Sequence, residues 1–333
     1  MRSHYDVVQE LREAGISPTL NGTFFHYDGL VLERYYDAFF RLAQDFLDRE
    51  DLGLNVQPAR IFFNSSTTIN ACAYFHTKGY YIIEINQGVI VNLFRRFYYA
   101  DTIFNSPALV FFRDLALRFN QSPGFLIFQD TCLMFLYHEI GHLVQQSGQN
   151  AGLYQEHMAH ICTGEEVKIR HIRELDADWF SANHIAHYIL EAREREPKGV
   201  PLTTTEFEAF AAQILSSVYL YFISNCEGTE MYFEEQCHPH PAVRLAYYSF
   251  MALGTLENLL GRPLNKAGIH LNAKLIAETV LIGEGSQVVP FYNELIRQHW
   301  QSIQRYIRQV MTSANDYPFT TWRILSTDPL PVA

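Results

Sequence analysis

Two histidines four residues apart, with a glutamate directly after the first, are the side chains of this chain best placed to do chemistry: His138-Glu139-Ile140-Gly141-His142. An α-helix turns by about 100° per residue, so side chains four apart share a face and sit about one turn from each other. His138 and His142 can therefore meet one ion, and HExxH is the arrangement a zinc hydrolase needs. Two neutral imidazoles leave the double charge of Zn2+ uncompensated. A third, anionic ligand lowers it and still leaves a fourth position open for water. Glu174, 32 residues after His142 in Glu174-Leu175-Asp176-Ala177-Asp178, is the expected third ligand. His171 shares the Glu174 face and is the rival, whereas Asp176 points about 160° away and is a poor alternative. The expectation is one Zn2+ per chain.

Glu139 lies beside the ligands without joining them. A carboxylate there can take a proton from an attacking water and later return it to a leaving amine, the work of a general base. Asp178, on the face of Glu174, is expected in a supporting position, because a metal-bound histidine commonly donates its other ring N–H to a carboxylate.

These residues need two helices to carry them. Leu133, Leu136, Tyr137, Ile140 and Val144 fall at helical spacing nearly opposite the two histidines, so one face of that helix is core and the other looks into a cleft, with Gly148 as its stop. Thr163-Gly164-Glu165-Glu166 reads as a capping box opening the second helix, which Ile172, Leu175, Trp179, Ala182 and Ala186 continue. Upstream, residues 1–55 read as helical. Arg60–Asn64, Ile69–Phe75 and Tyr80–Ile85 read as strands, the last two joined in a hairpin through Thr77-Lys78-Gly79. Asn86–Tyr99 and Ser106–Phe119 read as further helices. Beyond 205 the chain is helical again, interrupted by Glu227–Gln236 before His238-Pro239-His240-Pro241. The other paired histidines, His157 with His160 and His184 with His187, lack a carboxylate partner and read as surface or packed residues.

The chain has 333 residues, 48% of them hydrophobic, enough to bury a large core. Its net charge of −11, without any basic run, argues against a nucleic-acid partner. Five scattered cysteines with no CxxC pair, Cys72, Cys132, Cys162, Cys226 and Cys237, read as reduced thiols of a cytoplasmic protein. Met1–Leu20 has no apolar signal region. Ala209–Cys226 lacks charge but carries Gln213, Ser216, Ser217, Ser224 and Asn225, so it reads as a buried helix rather than an integral membrane segment.

The order Asn70-Ala71-Cys72-Ala73 on a strand, a hairpin, the HExxH helix, the ExxxD helix and then HPxxxxR at His238–Arg244 resembles the gluzincin metallopeptidases of the M48 type over roughly residues 60–250. The doubled HPHP and the lack of membrane helices are similar to the soluble Lit-type phage-exclusion peptidases. The resemblance implies that His138, His142 and Glu174 bind zinc and that Glu139 is the base. It implies that Asn70, Ala71, Cys72 and Ala73 form an edge on which an extended peptide substrate lies, a case of β-augmentation. It places His238 near the developing oxyanion, with His240 the rival, and has Arg244 help there or clamp structure. An activating partner is implied by the phage-exclusion relatives.

The expected fold is thus α+β: a zincin-like core at residues 56–250 with a small β-sheet, the HExxH helix and the Glu-ligand helix, flanked by helical extensions at 1–55 and 251–333 in one compact unit. The expected activity is that of a cytoplasmic zinc metalloendopeptidase, with a regulatory or phage-defence role. HEIGH followed by an acidic helix is also similar to the repressor-cleaving ImmA and IrrE-like peptidases, and a non-catalytic, zinc-stabilised regulatory or toxin-like binding protein is the alternative of a different class.

Overall fold

The computed structural model of the chain describes residues 2–20, 22–49, 53–147, 164–194, 201–226, 228 and 230–326. Gly148, His157, His160, Cys162 and Thr163 lie outside them, and with them the expected stop of the HExxH helix and the cap of the next. The backbone falls into two compact units that interleave along the chain. The first comprises 1–95, 136–160 and 316–333; the second comprises 96–135 and 161–315. Helices dominate both, and the small sheet makes the fold α+β.

The first unit is built on three strands, β1 (Ala59–Asn64), β2 (Ala71–His76) and β3 (Tyr80–Asn86), in the order β1-β3-β2. The expected hairpin is present: β2 pairs antiparallel to β3, with Ala73 opposite Ile83. β1 runs parallel to β3, with Ile61 opposite Ile83. All six residues of β1 are buried, because α1 (His4–Glu13) and α2 (Glu33–Leu47) pack against it. Its outer edge is occupied by Phe24, bridged to Asn64. Residues 1–55 are thus not continuously helical; the segment between α1 and α2 is spent covering a strand edge that would otherwise invite pairing. Arg60, buried on β1, donates two hydrogen bonds of 2.9 Å to Glu10 and so ties α1 to the sheet. Glu84, fully buried on β3, accepts from the backbone N–H and hydroxyl of Thr19, the N–H of Leu20 and the amide of Asn64. Those donors let a carboxylate sit in a sheet core, where an unpaired one is costly. α3 (Gln87–Phe97) follows β3 directly.

The second unit is a helical bundle. A 3-10 segment (Tyr98–Asn105) and α4 (Val110–Arg118) precede α5 (Pro123–Ser147), whose later half carries the HExxH residues of the first unit. α6 (Glu165–Glu194), α7 (Thr204–Ser224), α8 (Pro241–Leu260), α9 (Lys266–Gly283) and α10 (Val288–Ala314) follow; α11 (Thr321–Ser326), which belongs to the first unit, ends the described chain. α6 packs on α8, and α7 packs on α9, α8 and α4. α7 is long and apolar enough to cross a membrane, yet every residue from Ala209 to Leu220 is buried within the protein. Ser216 and Ser217 donate to the carbonyls of Gln213 and Ile214 three residues back, which is how a core helix accommodates hydroxyls. α8 ends at the left-handed Gly261 (φ 61°). Cys72, Cys132 and Cys226 are free and buried. Cys237 is disulfide-bonded, so the expectation of uniformly reduced thiols fails there and cysteine usage no longer argues for a reducing compartment.

Candidate metal centre

His138 and His142 lie one turn apart on α5, as their spacing requires, and their Nε2 atoms face each other at 3.1 Å. Gln145, one turn further along, accepts at 3.1 Å from Nδ1 of His142. An amide oxygen can only accept, so Nδ1 carries the hydrogen and Nε2 keeps its lone pair for a ligand role. Glu174 comes from α6, and one ligand atom from each of His138, His142 and Glu174 lies within 4.8 Å of the others. His142 and Glu174 are buried and His138 half-buried.

Two neutral imidazoles and a carboxylate are the donor set of a three-ligand zinc site with one position left over. Two zinc–nitrogen bonds of about 2.05 Å at a tetrahedral angle separate their nitrogens by about 3.3 Å, close to the 3.1 Å found here. The residues present therefore fit the metal. Glu139, between the histidines, is buried at 6% exposure.

The partners of Glu174 are set by α6 and α8. Arg244, four residues into α8, forks onto Asp178 through Nε to Oδ2 at 2.8 Å and its second terminal nitrogen to Oδ1 at 2.7 Å. Its other terminal nitrogen meets Glu174 Oε2 at 3.0 Å. The guanidinium also lies 5.2 Å from the centre of the Phe222 ring. Burial works against its charge, but the carboxylates of Asp178 and Glu174 outweigh that and hold it more firmly protonated than an ordinary arginine. Arg244 is thus placed as a clamp on the carboxylate pair.

The HPHP segment gives its two histidines different surroundings. His240 is fully buried and caps α8, its Nδ1 accepting from the N–H of Ala242 at 3.0 Å, with Pro241 in the first turn. His238 is 68% exposed at its side chain, and its Nδ1 lies 3.4 Å from Oε1 of Glu174. His171, the rival ligand, has both ring nitrogens engaged elsewhere: Nδ1 with the Tyr306 hydroxyl at 2.5 Å and Nε2 with the carbonyl of Gln236 at 2.8 Å. It fastens the segment before His238 to α6 and α10. His184 is likewise a packed residue, with Nδ1 on the carbonyl of Phe180.

Asn70–Ala73 enter β2, an edge strand of the sheet. The N–H of Asn86 donates to the carbonyl of Asn70, so Asn70 and alternate residues after it face β3, while Ala71, Ala73 and Phe75 turn their backbone groups outward. Two of those outward groups are taken by Gln146. Neither Gln145 nor Gln146 was singled out from sequence, although at three and four residues past His142 they had to share its helix face.

No family profile, characterised relative or solved structure matches the chain.

Proposed function

We propose that the protein is a zinc-dependent endopeptidase of gluzincin type, acting on a protein or peptide substrate. The observation that carries this reading is the convergence of His138, His142 and Glu174 within 4.8 Å, with a buried Glu139 on the same helix turn as the histidines. A purely structural metal site has no use for that fourth side chain. Zinc held there supplies a Lewis acid that polarises a carbonyl and brings the pKa of water toward 7.

The chain's own residues supply the rest. Glu139 takes the proton of the attacking water and delivers it to the amine that leaves. Arg244 and Asp178 fix the orientation of Glu174, so that the ligand does not have to find its rotamer at each turnover. His238, exposed beside Glu174, offers a ring N–H to the oxyanion of the tetrahedral intermediate. The outward backbone groups of β2 bind the substrate main chain, which makes recognition tolerant of side-chain sequence. The resemblance to phage-exclusion peptidases suggests activity conditional on a second protein, so the substrate panel should include extracts from phage-infected bacteria.

The test is cleavage by the full chain, loaded with zinc, of casein and of such extracts, read as new N-termini. The expected result is a set of cuts that disappears on chelation, returns with zinc and is absent from Glu139→Gln at unchanged zinc content. Cuts that persist in Glu139→Gln or after chelation, or a zinc-loaded protein that cuts nothing in any extract, would overturn the reading.

A further inference from the structure

The side chain of Gln146 does at the edge of the sheet what a neighbouring strand would do. Its amide nitrogen donates to the carbonyl of Ala73 at 2.9 Å, and its amide oxygen accepts from the N–H of Phe75 at 2.6 Å. The carbonyl of one residue and the N–H of the residue two further on are the two groups that a single residue of a parallel neighbour would satisfy. Gln146 therefore closes the outer edge of β2 around Tyr74 and joins that edge to the helix of His138 and His142. Upstream of the closure, the outward groups of the strand are the N–H and carbonyl of Ala71 and the N–H of Ala73.

Resting on the peptidase reading, we infer that Gln146 is a specificity-determining residue that ends the substrate-binding edge at Ala73 and so limits how much substrate main chain is recognised on one side of the cut. An added strand pairs slightly better antiparallel than parallel. In that sense the residue opposite Ala71 exchanges two hydrogen bonds with it. The residue two positions nearer the substrate N-terminus accepts only from the N–H of Ala73, because its own N–H finds the Ala73 carbonyl already occupied. Further N-terminal residues find the Phe75 N–H occupied too. The side chain that limits the edge leaves the metal ligands untouched, since His142 is held by Gln145 instead.

The experiment uses the zinc-loaded full chain and a nested set of peptides built on a casein cut site, lengthened one residue at a time at the N-terminus. With the wild type, kcat/KM should rise and then level off. Gln146→Ala should keep the zinc content and continue to rise over the next residues, gaining about fivefold for each main-chain hydrogen bond recovered and chiefly through KM. Gln146→Glu can still accept from Phe75 but cannot donate to Ala73, so its plateau should shift by a single bond. It also provides the test if the alanine variant folds poorly. Identical length dependence in the wild type and both variants, with zinc and activity intact, would overturn the role of Gln146 while leaving the peptidase standing. A wild type that holds zinc but cuts neither casein nor any protein in the extracts would overturn the peptidase reading, and this inference with it.

Discussion

Replacing Arg244 by methionine removes the charge that two buried carboxylates share while keeping most of the aliphatic stem that packs beside Phe222. In the folded protein Arg244 contacts Asp178 at 2.7 and 2.8 Å and Glu174 at 3.0 Å, with side-chain exposures of 16% for Arg244, 2% for Asp178 and 9% for Glu174. Breaking a buried pair by removing one partner costs about 3–5 kcal/mol, because a desolvated charge is left without compensation. Arg244 serves two carboxylates at once, so a loss within that range is expected for the metal-free protein. A bound zinc ion would give Glu174 a second counter-charge and so should narrow the loss. Zinc affinity itself should fall by about 10–100-fold, the usual consequence of losing a group that orients a metal ligand. Arg244→Lys keeps the charge without the planar fork and should fall between the two. The assays are urea unfolding with and without chelator and competition for zinc against a fluorescent chelator. Arg244→Met combined with Asp178→Asn should cost less than the sum of the single changes, since each removes part of the same interaction. If Arg244→Met unfolds at the wild-type urea concentration and binds zinc with wild-type affinity, the clamp has been misassigned.

Two further outcomes follow from the histidines. His238→Ala should lower kcat on casein by roughly a hundredfold with little change in KM or zinc content, whereas His240→Ala should lose stability of about 1 kcal/mol or more with the cap of α8 and its buried ring, at near-normal turnover; a large kcat effect at His240 would reverse the assignment. Away from the metal site, burial and then the charge of His26 hold His4 down at about 3, and burial holds His184 down at about 4. Both titrate near 6.5 once unfolded. Below that pH the unfolded chain binds protons that the folded chain refuses, so their contribution is complete above about pH 6.5 and is lost as pH falls toward the folded values, at up to about 1.4 kcal/mol per pH unit for each group. The urea midpoint should therefore fall between pH 6.5 and 4.5, and fall less steeply in His4→Gln; an unchanged slope in that variant would contradict the account.

The local parts of the site were legible because they obey short-range rules. HExxH spacing alone brings the Nε2 atoms of His138 and His142 to 3.1 Å, and the turn at Thr77-Lys78-Gly79 predicts the β2–β3 hairpin, whose register pairs His76 with Tyr80. Glu174 was legible as the acid on a helix returning toward the first. What escaped notice depends on contacts between residues far apart in the chain. Nothing in the order of residues says that Arg60 will reach Glu10 or that Gln146 will reach Ala73, and a glutamine near a helix end is ordinarily a solvated one. The parallel pairing of β1 with β3 is equally silent, since alternation reports which face of a strand is buried but not its neighbour. Asp178 illustrates what local pattern leaves open: its spacing puts a carboxylate on the α6 face of Glu174, but nothing nearby in the chain says that Arg244, 66 residues away, meets it with a planar fork.

Metal content shows whether His138, His142 and Glu174 form one metal site. Purified with zinc in the buffer and then desalted, the full chain should retain about one zinc per molecule by plasma mass spectrometry and should melt at a lower temperature after chelation. His142→Ala and Glu174→Ala should each retain almost none, and chelator should no longer shift their melting. A wild type that keeps no zinc and melts identically with and without chelator would contradict the account, as would variants that hold zinc as the wild type does.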